Sequence, residues 1–169
     1  MSTSRHLVIM ARAPRLGTVK RRLARDVGAA AAWRFYRTTA AGLVRRVARD
    51  PRWQSWLAVT PDRAALGGAG FGAPPCRLIA QGPGDLGARM GRVLRELPPG
   101  PVVIVGSDIP ALDAAHVARA FALLGGHDWV FGPATDGGYW LIGARRRPVL
   151  HDPFHGVRWS SAHALSDTL

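Results

Sequence analysis

The stretch PVVIVGSD, residues 101–108, constrains the fold of this chain more than any other. It places five apolar residues in a row, counting Pro101, and then stops at glycine. A run that short and that apolar reads as a buried strand. HLVIMAR (6–12) and QSWLAVT (54–60) are strands of the same kind, CRLIAQ (76–81) is a shorter one, and DWVFGPA (128–134) and GYWLIGA (138–144) flank the turn TDGG. Amphipathic segments fall between them. Val19, Leu23 and Val27 lie four apart and predict a helix over 18–27 with Thr18 as its N-cap. A longer helix is expected over 29–49, one over 85–97 with Leu86, Met90, Val93 and Leu97 on one face, and one over 113–125 closed by Gly125. A last helix is expected over 160–169, opened by a serine cap. PDRAALGGAGFGAPP (61–75) reads as loop. The order β-α-α-β-β-α-β-α-β-β-α predicts an α/β fold, a three-layer α/β/α sandwich around a mostly parallel sheet.

At 169 residues the chain fits one domain that buries roughly 70% of its unfolded surface. With 47% hydrophobic and 20% charged residues the composition is that of a globular protein. The single cysteine, Cys76, excludes an internal disulfide and a cysteine-based zinc site, which suits a reducing cytoplasm. It follows two prolines with no base in evidence, so a nucleophilic role is not expected. No stretch approaches the ~20 apolar residues of a membrane span, and LVIM near the start is too short for a signal-peptide core. The expected location is the cytoplasm.

The net charge of +12 attracts phosphates of any kind. Basic and aromatic residues are not interleaved in a nucleic-acid-binding pattern and no zinc-finger spacing occurs, so nucleic acid is not the expected partner. Arg22, Arg25, Arg45, Arg46 and Arg49 read as a solvated arginine-rich surface. His116, His127, His151, His155 and His163 show no metal-ligand spacing on one helix and read as surface histidines. Trp53, Trp56, Trp140 and Trp159 read as packing residues rather than stacking platforms.

Chemistry concentrates where strands end, because open α/β sheets bind ligands at the carboxyl ends of their strands near a switch point. After VIMAR comes APRLGTVK. Its Gly17 allows close backbone approach, and the next helix offers free N–H groups to an anion. Arg12, Arg15 and Lys20 add positive charge. Lys20 is the only lysine among 23 lysines and arginines, and an ammonium is a compact point charge suited to one phosphate oxygen. After VVIVG come Ser107, Asp108, Ile109 and Pro110. Asp108, at the end of a buried strand, is a candidate ligand for a divalent cation, since Mg²⁺ takes one or two carboxylates plus substrate phosphates. Asp136 sits in the Asp-Gly turn of GPATDGGYWLIG, which is also an ordinary hairpin signal.

ARAPRLGTVKRRLA (11–24), QGPGDLGARM (81–90), VVIVGSDIPAL (102–112), VFGPATDGGYWLIG (130–143) and VRWSSAHALSDT (157–168) together resemble the glycosyltransferase-like bacterial proteins of the nucleotide-diphospho-sugar transferase superfamily. These include arsenosugar biosynthesis glycosyltransferases. The resemblance implies a GT-A type fold that uses a nucleotide-activated donor with Mg²⁺ or Mn²⁺ and a small-molecule acceptor. It implies that Arg12, Arg15, Gly17, Lys20 and Ser107 hold the nucleotide. Asp108 and Asp136 would face the metal, with Lys20, Asp108 and Asp136 as the reacting centre. The molybdenum-cofactor and phospholactate nucleotidyltransferases share the layout, so nucleotidyl transfer with release of pyrophosphate is the rival reading. A non-catalytic nucleotide- or nucleic-acid-binding module is a third. The chain departs from the family pattern after the lysine, with Arg21-Arg22-Leu23 in place of Thr-Arg-Leu. The resemblance also implies that the single domain 1–169 is short of the family's usual C-terminal strand and helix.

Overall fold

A computed structural model describes residues 4–67, 70–71, 76–147 and 152–169. His151 and parts of the glycine-rich loop expected over 61–75 lie outside them. Six strands, β1 (His6–Arg12), β2 (Gln54–Thr60), β3 (Arg77–Ala80), β4 (Val102–Gly106), β5 (Trp129–Pro133) and β6 (Tyr139–Ala144), form one sheet in the order β3-β2-β1-β4-β6-β5. β3, β2, β1 and β4 pair in parallel, β6 runs antiparallel to β4, and β5 runs antiparallel to β6. Five strands therefore point one way, as expected of a mostly parallel sheet.

Alternation along β1 sorts the core into two layers. Leu7, Ile9 and Ala11 point to one face, where Leu43, Val44 and Val47 of α2 (Ala29–Val47) and Val117, Ala120 and Phe121 of α4 (Ala114–Leu123) cover them. Val8 points to the other face, against Met90 and Val93 of α3 (Leu86–Glu96) and Phe154. The three-layer α/β/α sandwich is as the sequence predicts.

Three caps differ from expectation. The helix after β1 is α1 (Arg21–Val27), which starts three residues late from Lys20 in the left-handed region (φ 49°) and has no side-chain cap. Thr18 instead donates its hydroxyl to Arg15 O at 2.9 Å, because its loop has already turned. The stripe of Val19, Leu23 and Val27 is not a buried helix face: Val19 is buried ahead of α1, and Val27 is exposed. α4 closes on Leu124 in right-handed conformation rather than on Gly125. α5 (Ala164–Thr168) is shorter than the predicted terminal helix, because Ser160 adopts φ 60° and the Ser161 hydroxyl bonds Arg158 O and His163 N within a turn. Asp85 and Asp113 do cap α3 and α4, each accepting backbone N–H groups.

Two groups were not foreseen, the buried His6 of β1 and the half-buried Arg146 just past β6. His6 is fully buried and its Nδ1 accepts from Trp56 Nε1 at 3.2 Å, and burial holds its pKa below the ordinary histidine value. Arg146 (φ 60°) turns its guanidinium onto the end of α3, donating to Leu94 O (2.7 Å), Leu97 O (3.0 Å), Gly100 O (2.6 Å) and Pro98 O. Its fork satisfies carbonyls that a helix end leaves without partners. We expect Arg146→Ala to lower stability by about 2 kcal/mol, the scale of losing charge-assisted hydrogen bonds. The check is urea unfolding, with the midpoint moving and the slope unchanged.

Candidate active site at the switch point

The chain leaves β1 toward β2 on one side and reaches β4 on the other, so the sheet reverses direction of growth between β1 and β4. The carboxyl ends of these two strands open the crevice of the fold. Met10 is in register with Gly106, so two residues on, Arg12 and Asp108 leave the sheet side by side.

One hydroxyl fastens this point. Tyr36, on the buried face of α2, accepts from Arg12 N (2.9 Å), donates to Arg12 O (2.8 Å) and meets Ser107 Oγ at 3.1 Å. With the phenolic proton on Arg12 O, the serine is the donor. Ser107, expected to hold nucleotide, is thus buried with its hydroxyl engaged by Tyr36. Trp33, one turn earlier on α2, donates Nε1 to Pro14 O at 2.6 Å. The β1–α1 loop then folds back on itself: Thr18 N bonds Arg15 O, Arg12 Nη1 donates to Thr18 O at 3.3 Å, and Gly17 takes φ 76°, which favours glycine. Arg15 and Gly17 are exposed on this loop.

The loop delivers Lys20. Its ammonium pairs with Asp108 Oδ2, and both side chains are about one-third exposed, 32% and 38%. The two residues stand 88 positions apart in sequence and meet only because β1 and β4 are neighbours. The loop after Asp108 is held from α2, where Arg46 donates to Pro110 O (2.9 Å) and Leu112 O (3.1 Å). Arg46 is exposed, as the sequence predicts, and also holds this loop. α1 has seven residues, too short for its macrodipole to supply much, so the positive charge here comes from side chains.

Gln81 lies at the end of β3, buried, and its amide donates to Ala11 O (3.0 Å) and Ala58 O (2.8 Å), tying the ends of three strands. Sequence reasoning missed Gln81 and Tyr36. A tyrosine on an amphipathic helix and a glutamine after a short strand carry no local mark of these roles.

Asp136 is exposed in the β5–β6 turn, where its Oδ1 accepts from Gly138 N at 3.1 Å. Val105 pairs with Leu141, and three residues further along each strand stand Asp108 and Gly138. Asp136 therefore belongs to the same end of the sheet as Lys20 and Asp108. It lines a depression of about 460 Å³ with Arg22, Tyr139, Trp159, Ser160 and Ser161. Among the described residues no three His, Cys, Asp or Glu side chains gather to cage a metal. A strand-end carboxylate such as Asp108 nonetheless fits the way Mg²⁺ or Mn²⁺ is held when substrate phosphates complete the shell. His116 pairs with Asp113 at 2.6 Å, and His127, His155 and His163 are exposed, as expected. Burial pushes the Cys76 thiol up to about 11, which removes it as a nucleophile near neutrality.

Removing the Tyr36 hydroxyl orphans Arg12 N–H, Arg12 C=O and Ser107, so Tyr36→Phe is expected to cost about 1–3 kcal/mol. Faster hydrogen exchange at the Arg12 amide is the local check. Burial also raises the Tyr36 phenol above its ordinary value of 10.0. The folded chain then keeps this proton to higher pH than the unfolded one, so the stabilisation is complete below pH 10 and is lost as pH rises beyond it. Tyr139 and Cys76 are shifted the same way, so unfolding titrations of Tyr36→Phe should show a shallower alkaline loss, not its disappearance.

Among curated proteins none matches the chain. Solved structures do. A candidate nucleotide-diphospho-sugar transferase from Desulfovibrio desulfuricans G20 superposes with a TM-score of 0.88 at 32% identity, over 97% of this chain and 73% of that one. Rv0371c from Mycobacterium tuberculosis H37Rv aligns at TM-score 0.51 and 18% identity over 86% and 73% of the two chains. The 4-diphosphocytidyl-2C-methyl-D-erythritol synthase from Anaerococcus prevotii DSM 20548 aligns at 0.50 and 13% over 79% and 56%. The last two share the fold alone. No helix among the described residues is long and apolar enough to cross a membrane. Residues 43–161 match the family described as an uncharacterized protein conserved in bacteria, DUF2064. With that match and a 32%-identical relative, this chain belongs to the DUF2064 family and has the fold of the nucleotide-diphospho-sugar transferases.

Proposed function

We propose that the protein is a metal-dependent transferase acting on a nucleotide-activated donor, a glycosyltransferase using a nucleotide sugar. The observation that carries this is the Lys20–Asp108 pair at the β1/β4 switch point. The likeness to a candidate nucleotide-diphospho-sugar transferase supports it.

Asp108 would hold Mg²⁺ or Mn²⁺ together with the donor's phosphates. The ion, when bound, neutralises charge on the diphosphate and helps it leave. The chain's own residues do the rest. The ion pair with Lys20 orients the Asp108 carboxylate at the crevice. Lys20 supplies a compact positive charge for a phosphate oxygen, where a planar guanidinium would favour a bidentate contact. Arg12 and Arg15 add charge to the rim, and Gly17 lets the backbone approach the phosphates. Tyr36 and Ser107 are positioning residues: they hold both strand ends at fixed separation. Preorganised charge of this kind lowers the barrier because nothing must reorganise as negative charge builds on the leaving group.

The test is thermal stabilisation by nucleoside diphosphates and nucleotide sugars, with and without Mg²⁺, followed by product analysis. The expected result is Mg²⁺-dependent stabilisation by one nucleotide class, abolished in Asp108→Ala and weakened at least about tenfold in Lys20→Ala, a loss of about 1.4 kcal/mol. The turnover product should be a nucleoside diphosphate. Release of pyrophosphate would make the enzyme a nucleotidyltransferase instead. Stabilisation by nucleic acid alone would remove the enzyme reading.

A further inference from the structure

The depression beside Asp136 is separate from the Lys20–Asp108 pair in its lining yet shares its end of the sheet, and three contacts of the C-terminal segment build it. The first is a clamp on the turn. Gly137 adopts φ 83°, and a Cβ there would lie 2.1 Å from Ala162 O, while Leu165 N donates to Gly137 O at 3.0 Å. The C-terminal segment thus grips the backbone next to Asp136 and leaves no room for a side chain. The second is the seat of Trp159, whose indole rests on Gly87 of α3; a Cβ there would meet its ring at 2.7 Å. Arg158 fastens the same segment through three bonds to Asp167, from its backbone N (3.0 Å), Nε (2.8 Å) and Nη2 (2.7 Å). The third is Ser160 on the cavity wall at φ 60°, a conformation costly for a residue with a side chain and characteristic of functional sites.

The lining poses a chemical question. Arg22 is a cation and Asp136 an anion, both exposed, yet no ion pair forms between them among the described residues. Asp136 Oδ1 is turned to Gly138 N, which orients the carboxylate. A molecule that satisfies both walls must offer an O–H to the carboxylate and an acidic group to the guanidinium. The Ser160 and Ser161 side and the Trp159 ring suit the rest of a small polyol.

From this we infer that the depression is the acceptor site, and that the acceptor is a small hydroxylated molecule carrying a carboxylate or phosphate. The inference rests on the transferase reading above. The acceptor hydroxyl oxygen bonds to the anomeric carbon of the donor as the bond from that carbon to the diphosphate breaks. The electron pair leaves with the nucleoside diphosphate, and the hydroxyl proton passes to Asp136.

The experiment is saturation-transfer NMR and titration on the full chain with gluconate, glycerol 3-phosphate and neutral glycerol, beside nucleoside diphosphate with Mg²⁺. Gluconate, glycerol 3-phosphate or both should bind and glycerol should not, and which of the two anions binds tells carboxylate from phosphate. Arg22→Ala, a change on an exposed helix with no buried residue, should weaken the anionic probe about tenfold or more. It should leave the Mg²⁺-dependent nucleotide stabilisation in place. Failure of both anionic probes to bind, unchanged affinity in Arg22→Ala, or competitive displacement of the probe by nucleoside diphosphate overturns the assignment. Loss of nucleotide stabilisation in wild-type chain would instead overturn the donor reading, so the two fail separately.

Discussion

The hydroxyl of Tyr36 is the contact on which the candidate site depends. Buried beneath the switch point, it joins α2 to the ends of β1 and β4 through Arg12 and Ser107. Strand ends in an open sheet leave backbone groups without ladder partners, and in a buried place each unpaired group is costly. Tyr36 supplies those partners with one atom. What it holds in place is the pair of loops that carry Lys20 and Asp108, so one buried hydroxyl fixes where these two charged side chains meet.

Arginine dominates the cations for a reason the net charge does not reveal. Arg146 caps α3, and Arg46 secures the loop after Asp108. Arg92 donates to Gln81 O at 2.7 Å and Pro83 O at 3.1 Å, and Arg89 donates to Gly84 O at 2.9 Å. A guanidinium offers five N–H groups in a rigid fork, so it replaces missing backbone partners where connections are irregular. Part of the positive charge thus serves to close loops. Lysine, which cannot do this as well, is kept for the one position where it faces a carboxylate in the crevice.

The glycines of the second half do the converse. Gly87 and Gly137 are small so that Trp159 and the Ala162 backbone can come close. They let residues 152–169 wrap one face and frame the Asp136 turn. Reading those positions as turn residues captures Gly137 only in part, since its left-handed φ would suit any tight turn and the clash with Ala162 is a contact across 25 residues of chain.

Strands and helices were legible in the chain because hydrophobic patterning is local: the continuous apolar run in HLVIMAR or the spacing of Met90 and Val93 needs no partner to be read. The strand-exit loops were legible for the same reason, as polar and glycine-rich interruptions after apolar runs. Caps were less so. Thr18 and Ser160 look like N-caps from composition alone, but a cap requires a backbone angle, and Thr18 was claimed by Arg15 O while Ser160 was turned to φ 60°. What only the tertiary structure decided is which atoms meet: Lys20 with Asp108, Tyr36 with Ser107, Arg22 and Asp136 around one depression. Those meetings follow from strand order, and strand order is a global choice among ways to bury the same apolar faces, which no short window of residues records.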